Sequence, residues 1–102
     1  MGALGKFSFA LAVALPFAAA AATHTVTIEG MKFVPETVTV KKGDRIVWKN
    51  KDLVPHTATV TGSFDSKSIA SGASWSHVVR QPGRYAVVCR FHPGMKATLV
   101  VQ

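Results

Sequence analysis

The chain has 102 residues and carries 12 lysines and arginines against 5 aspartates and glutamates, which gives a formal net charge of +7 at pH 7. This length suits one domain and excludes two. The single cysteine excludes an intramolecular disulfide, although small exported domains often depend on such bonds.

The first 22 residues have the pattern of a secretory signal peptide. Lys6 precedes an uncharged stretch, and the alanines at 20–22 offer a small-residue cleavage site before Thr23. A retained membrane anchor is the alternative, but the stretch is shorter than the roughly 20 residues that a spanning helix needs. We therefore expect residues 1–22 to be cleaved and residues 23–102 to form one domain. The mature protein is expected to be periplasmic or otherwise exported, with no stable membrane insertion.

The positive charge persists after removal of this leader, since only Lys6 is lost with it. Nucleic acid is a common partner of basic chains. Export argues against it here, as does the lack of a recognition helix, an RNP-type aromatic run or an arginine-rich tract. We expect no nucleic-acid partner and an acidic protein partner instead, the alternative being a solvated basic surface without a special role.

The rest of the chain shows the short alternating runs that are typical of an all-β protein. Valine, threonine and aromatic residues alternate with polar residues, and turn sequences separate the runs. We predict no substantial helix in the mature chain and a single Greek-key β-sandwich. The predicted strands are 24–28, 31–33, 37–40, 45–50, 56–60, 75–79, 85–89 and 96–101, with loops at 51–55 and 61–68.

The seven residues from Cys89 to Met95 combine a thiol, an imidazole (His92) and a thioether at C-x2-H-x2-M spacing. Sulfur donors are soft ligands, imidazole also suits copper, and a His2Cys site with a weak axial methionine supports one-electron exchange. Pro93 and Gly94 allow the tight turn that such convergence requires. Taken alone, Cys89 would be interpreted as an inert buried thiol, Met95 as a residue that fills the core and His92 as a surface imidazole. Their spacing in one loop predicts a metal site.

Three histidines upstream could supply the second imidazole. His24 lies near the expected mature terminus, and His77 lies in the interior of a predicted strand. His56 is preferred because it follows a loop and begins a predicted strand. Strand ends can meet at one pole of a Greek-key sandwich, which would bring His56 to Cys89 across 33 residues.

The segment from Asn50 to His56 and the loop from Cys89 to Met95 resemble the two ligand segments of the cupredoxin (type 1 blue copper) family. The two-residue gap between His92 and Met95 is most similar to that of amicyanins, whereas pseudoazurins and plastocyanins use a longer gap; within the family the overall resemblance is to amicyanins and pseudoazurins. The resemblance extends from residue 33 to residue 101. It implies a cupredoxin-like domain that transfers single electrons between exported redox partners through one copper ion, Cu(I)/Cu(II). The implied ligands are His56, Cys89 and His92 in the equatorial plane and Met95 on the axis.

The same resemblance implies roles for residues around the copper ligands. Asn50 is expected to tie the two ligand loops together and to hydrogen-bond near the cysteine sulfur, the alternative being a plain turn residue. His92 is expected to be the partly exposed ligand through which electrons leave. The chain departs from the family at Phe91, where a proline is common, and at Arg90, which places a charge beside Cys89.

The two ligand loops also contain apolar residues that we expect to form a partner-binding patch rather than to be buried beneath the loops. They are Leu53, Val54, Pro55, Phe91 and Pro93. Nearby cations would steer a redox protein with an acidic docking surface, and the carrier is expected to be a monomer and not an enzyme. These cations are Lys49, Lys51, Arg90 and Lys96. The alternative function is periplasmic copper binding, storage or delivery by the same ligands.

Overall fold

The structure, a computed structural model, describes residues 20–102. Within this range it contains two β-sheets and no α-helix, which confirms the predicted all-β sandwich. The strands are β1 (Thr23–Ile28), β2 (Phe33–Val34), β3 (Thr37–Val40), β4 (Arg45–Asn50), β5 (Thr59–Val60), β6 (Phe64–Asp65), β7 (Ser74–Val78), β8 (Gly83–Val88) and β9 (Lys96–Val101). The predicted signal peptide lies outside the described residues except for positions 20–22.

The two sheets have the strand orders β2-β1-β4-β7 and β3-β9-β8-β5-β6. β1 runs parallel to β4, and β8 runs antiparallel to β9. The register pairs Ile28 with Asn50 in one sheet and Val88 with Lys96 in the other. Asn50 bonds to the segment that bridges His56, and His56 lies against Cys89, so β1, β4 and β8 end where β9 begins. We call this end of the sandwich the ligand pole, because Cys89 and Met95 flank β8 and β9 there. No helix that could cross a bilayer occurs between residues 20 and 102.

The core is formed by side chains at alternate positions along the strands. Ile46 and Trp48 of β4 are fully buried, as are Val26 and Ile28 of β1. The ring of Phe33 meets that of Trp48 edge-to-face, with 5.7 Å between the ring centroids. Burial of each such aliphatic or aromatic side chain contributes about 1.5–3 kcal/mol to folding. The alternating burial of β4 thus directs Ile46 and Trp48 into the core.

The predicted strand over 56–60 is present only at its end, as β5. His56 forms a single bridge to Ile69. The N–H groups of the next two residues donate to side chains instead of to a neighbouring strand: that of Thr57 to the Cys89 sulfur and that of Ala58 to the Ser66 hydroxyl. The ladder therefore starts only at Thr59, and His56 lies in irregular chain that can approach the second ligand loop.

The predicted loop over 61–68 contains a short strand, β6. The chain reverses at 61–63, where the N–H of Ser63 donates to the Val60 carbonyl over 2.9 Å. Val60 then pairs with Phe64, and Thr59 pairs with Asp65. Each strand of this hairpin has only two residues. Two residues are too few to show the alternation of apolar and polar side chains that distinguishes a strand from a polar loop.

Candidate metal centre

The second ligand loop begins at Cys89, immediately after β8, and ends at Met95, immediately before β9. Two backbone bonds close it: the Cys89 N–H donates to the Met95 carbonyl over 3.2 Å, and the Met95 N–H donates to the His92 carbonyl over 3.1 Å. Gly94 has a φ of 98°, which glycine adopts without the strain of a side chain. Both sulfur residues are buried, whereas His92 is partly exposed.

His56 approaches this loop from the connection between β4 and β5. Its N–H donates to the Ile69 carbonyl over 3.2 Å, and its carbonyl accepts from the Ile69 N–H over 2.7 Å. The residue is completely buried, with its Nδ1 atom 3.7 Å from the Cys89 Sγ. Its ring lies 4.8 Å, centroid to centroid, from the ring of His92.

One possible ligand atom from each of His56, Cys89 and His92 lies within 4.8 Å of the others. The 3.7 Å between sulfur and imidazole nitrogen suits two donors that approach one ion to about 2.0–2.3 Å. Met95 is buried and belongs to the same closed loop, so its thioether is available as a further donor. A thiol, a thioether and two imidazoles form a donor set that copper favours, so the residues present fit a copper ion.

Thr57 contributes contacts that the sequence did not indicate. Its N–H donates to the Cys89 Sγ over 3.3 Å, and its hydroxyl accepts from the Arg90 N–H over 2.9 Å. The same hydroxyl lies 2.9 Å from that of Thr59. These bonds join the two ligand loops directly and place a polar donor on the cysteine sulfur.

Asn50 is fully buried at the end of β4 and organises the first loop. Its side-chain amide donates to the Val54 carbonyl over 2.8 Å and to the Ile69 carbonyl over 3.0 Å. Its oxygen accepts from the Asp52 N–H over 2.9 Å. The side chain therefore fixes the turn before His56 and the segment that bridges His56. The hydrogen bond on the cysteine sulfur comes from Thr57 and not from Asn50.

Asp52 holds the far nitrogen of His56 and was not singled out in the sequence. Its Oδ2 lies 2.7 Å from the His56 Nε2. The carboxylate also accepts from the N–H groups of Gly30, over 2.7 Å, and Met31, over 2.9 Å. Burial opposes ionisation of Asp52, but these two donors and the imidazole outweigh it and lower its pKa. Because Nε2 faces Asp52, Nδ1 is left to face the sulfur.

The two other candidate histidines lie elsewhere. The His24 Nε2 lies 2.8 Å from Asp44 Oδ2 at the start of β1, opposite the ligand pole. His77 packs against Phe64 and Trp75, with centroid distances of 4.1 and 4.7 Å, and burial lowers its pKa. Among residues 20–102, the cluster of His56, Cys89 and His92 is the one group of such side chains that could hold a metal ion.

The apolar residues of the ligand loops are exposed. Leu53 is 92% exposed, Phe91 49% and Val54 41%, and both prolines are also exposed. Of the cations near these loops, Arg90 is engaged, because its guanidinium lies 2.9 Å from the Asp65 carboxylate. Lys49, Lys51 and Lys96 are exposed.

Comparisons with known proteins show the family of the chain. The model of the cupredoxin-like domain family matches residues 3–101. The chain is 30% identical to "Amicyanin-alpha" of Methylorubrum extorquens over 90 residues, which cover 82% of this chain and 76% of that protein.

Solved structures show the same architecture. The copper(I) form of an amicyanin variant superposes with a TM-score of 0.75 at 25% identity, over 81% of this chain and 85% of that one. A copper-containing nitrite reductase from Thermus scotoductus SA-01 shares the fold at a TM-score of 0.73 and 23% identity, over 78% of this chain but only 22% of the enzyme. The chain belongs to the cupredoxin-like family and is similar to amicyanins within it.

Proposed function

We propose that this cupredoxin is a type 1 copper protein that carries single electrons between exported redox proteins. One copper ion would be held by His56, Cys89 and His92, with Met95 as the axial ligand. The observation that carries the proposal is the convergence of a buried thiol and two imidazoles from distant segments, with possible ligand atoms within 4.8 Å of one another. When bound, copper would supply the Cu(I)/Cu(II) couple.

The protein's own contribution is to hold the donors in place. Thr57 bonds both to the Cys89 sulfur and to the Arg90 backbone, and the loop from Cys89 to Met95 is closed by its own backbone bonds. Asn50 fixes the first loop, and Asp52 fixes the ring of His56. A ligand set restrained in this way moves little when its charge state changes, which favours fast electron exchange. We infer that Asn50 and Asp52 are positioning residues.

The partly exposed ring of His92 would be the contact between the site and a partner. The five apolar residues proposed as the partner patch are all exposed in the two ligand loops, as a transient docking surface requires. Lys49, Lys51 and Lys96 would attract an acidic surface of the partner. Arg90 contributes less to this attraction because Asp65 neutralises it locally.

We also propose that the protein is exported and acts as a monomer. Residues 1–22 would direct the chain to the periplasm or another exported compartment, where a metal ion would protect the single thiol from oxidation. Binding of the ion to the folded chain alone would also stabilise the fold.

Electron exchange can be tested by stopped-flow mixing of the reduced, copper-loaded protein with a soluble one-electron oxidant. We expect complete, reversible oxidation with one electron per copper. The charge-neutralised variant Lys51→Gln/Lys96→Gln should react more slowly than the wild type with an anionic oxidant at low salt, and equally fast at high salt. Copper that cannot be oxidised and re-reduced while it stays bound would contradict the proposal.

Copper storage or delivery is the second candidate function, since it uses the same four residues. It predicts rapid transfer of copper to a competing apo-protein and no fast electron exchange. The burial of His56, Cys89 and Met95 disfavours it, because a ligand-exchange route needs donors that an acceptor can reach. Incubation of the loaded protein with an excess of a copper-binding apo-protein distinguishes the two functions by the rate at which the visible band is lost.

A further inference from the structure

A cluster of exposed cations covers the end of the sandwich opposite the ligand pole. β4 and β8 begin at this end, and β7 and β9 finish there, as the pairings of Arg45 with Val78 and of Gly83 with Val101 show. The cations lie on the strand ends and turns of this end, and we call them the basic pole. Its members, all exposed, are Lys41, Lys42, Arg45, Arg80 and Arg84.

Backbone bonds hold the segments of the basic pole together. The Lys42 N–H donates to the Gln102 carbonyl over 2.9 Å, and the Gly43 N–H donates to the Val79 carbonyl over 2.8 Å. In return, the Val79 N–H donates to the Asp44 carbonyl over 3.0 Å. The turn that carries Lys41 and Lys42 is therefore fixed against the residue that precedes Arg80, which holds the backbone of these cations at one end of the sandwich.

The charge of the basic pole is not compensated by acidic side chains. Asp44, its one carboxylate side chain, is buried and accepts from the Ala22 and Lys41 N–H groups while it contacts His24. Within residues 20–102, none of the five cations forms an ion pair. At the ligand pole, by contrast, Asp65 neutralises Arg90.

The basic pole lacks the apolar anchors of a protein-binding surface. The exposed large hydrophobic residues of the described chain lie in the turn before β2, in β2 and in the ligand loops. Protein partners usually depend on a few buried aromatic or aliphatic contacts. A charged lipid surface needs only a concentration of lysine and arginine. The composition of the pole thus favours lipid headgroups over a protein.

The chain also enters the domain at this pole. The Ala22 N–H donates to Asp44 Oδ1 over 2.9 Å, and its carbonyl accepts from the Arg45 N–H over 2.9 Å. The apolar stretch that we interpret as a signal peptide is connected to the domain through Ala22. Before cleavage, that stretch would therefore be joined to the domain at the basic pole.

We propose that the basic pole adsorbs to anionic phospholipid headgroups and thereby orients the protein with its ligand pole away from the membrane. The adsorbed molecule would keep the surface around His92 free for redox partners. The proposal goes beyond electron carriage and does not depend on it, because adsorption requires neither copper nor the ligand residues.

Co-sedimentation of the exported protein with vesicles tests this adsorption. Vesicles of phosphatidylcholine containing phosphatidylglycerol should bind the protein at low salt, and pure phosphatidylcholine vesicles should not. Lys41→Gln/Lys42→Gln/Arg80→Gln should weaken binding by about 100-fold, since each basic residue near such a surface is worth about fivefold. Lys32 is exposed in the turn between β1 and β2, at the ligand pole. The matched control Lys32→Gln/Lys51→Gln/Lys96→Gln removes the same charge from that pole and should bind nearly as the wild type.

Equal losses in the two triple variants would overturn the proposal, because net charge and not the basic pole would then govern binding. Equal binding to neutral and anionic vesicles would overturn it as well. Near-ultraviolet circular dichroism, which reports the packing of the buried Trp48, verifies that both variants are folded. A failure of vesicle binding leaves the copper spectrum of the protein unaffected, so it is distinguishable from a failure of the proposed function.

Discussion

The Asp52 Oδ2 lies 2.7 Å from the Nε2 of His56, and the other ring nitrogen of His56 lies 3.7 Å from the Cys89 sulfur. The carboxylate is itself fixed by two backbone N–H groups from the turn between β1 and β2. One imidazole is thus clamped between a fixed anion and the thiol. This arrangement sets its orientation before any metal binds.

Replacement of Asp52 by asparagine tests the clamp. We expect Asp52→Asn to weaken copper binding by about 10–100-fold, because the partner that orients the His56 ring and raises its basicity is lost. Competition titration with a chelator measures the change. Asp44→Asn is the matched control, since Asp44 also holds two backbone N–H groups and a histidine, but at the opposite end of the sandwich. Equal weakening in both variants would mean that the effect is general destabilisation.

Met95→Gln tests the axial position. The intense visible band should remain, because it arises from the thiolate, and the reduction potential should fall, because an amide oxygen is a harder donor than a thioether and favours Cu(II). Voltammetry of the loaded variant measures the shift. A potential identical to that of the wild type would show that Met95 is not a ligand.

The choice among the upstream histidines can be tested by two substitutions. His77→Ala should leave the copper spectrum unchanged, since this ring packs among Phe64 and Trp75. His56→Ala should abolish the normal spectrum. Optical spectra of the two copper-loaded variants, recorded side by side, provide the measurement. Loss of colour in the His77 variant would mean that His77 is a ligand and that the choice of His56 is wrong.

The lowered pKa of Asp44 predicts how acid changes the free energy of unfolding. Hydrogen bonds from the Ala22 and Lys41 N–H groups and from His24 lower its pKa from 3.8 to about 2. A carboxylate with a lowered folded-state pKa stabilises the fold fully above pH 3.8, and this contribution is lost as pH falls through about 2. The urea midpoint of a copper-free chain that retains Ala22 should therefore fall over this window, and less steeply in Asp44→Asn. The same slope in both proteins would contradict this role of Asp44.

The fold was predictable where hydrophobic alternation is long. β1, β3, β4 and β9 were located to within a residue because buried aliphatic residues repeat at every second position. β6 was missed, since two residues establish no period, and the strand predicted from His56 was too long. The N–H groups of Thr57 and Ala58 donate to the Cys89 sulfur and the Ser66 hydroxyl, and not to a neighbouring strand.

The contacts around the proposed ligands were harder to predict than the ligands. Cys89, His92 and Met95 are close in sequence, so their spacing carries the information. Asp52 is fixed by the backbone of Gly30 and Met31, which are more than 20 residues away and present no side-chain signal. The bond from the Thr57 N–H to the sulfur depends equally on long-range folding, because a backbone donor has no sequence signature.

The most direct test of the account is an optical and electron-paramagnetic titration of the purified protein with Cu(II), performed in parallel on Cys89→Ser. We predict that the wild type develops an intense visible thiolate-to-copper band that saturates at one copper per chain, with the narrow copper hyperfine splitting of a strongly covalent thiolate site. Cys89→Ser should show no such band. A wild-type protein that remains colourless, or a Cys89→Ser variant that keeps the band, would contradict the assignment of this site.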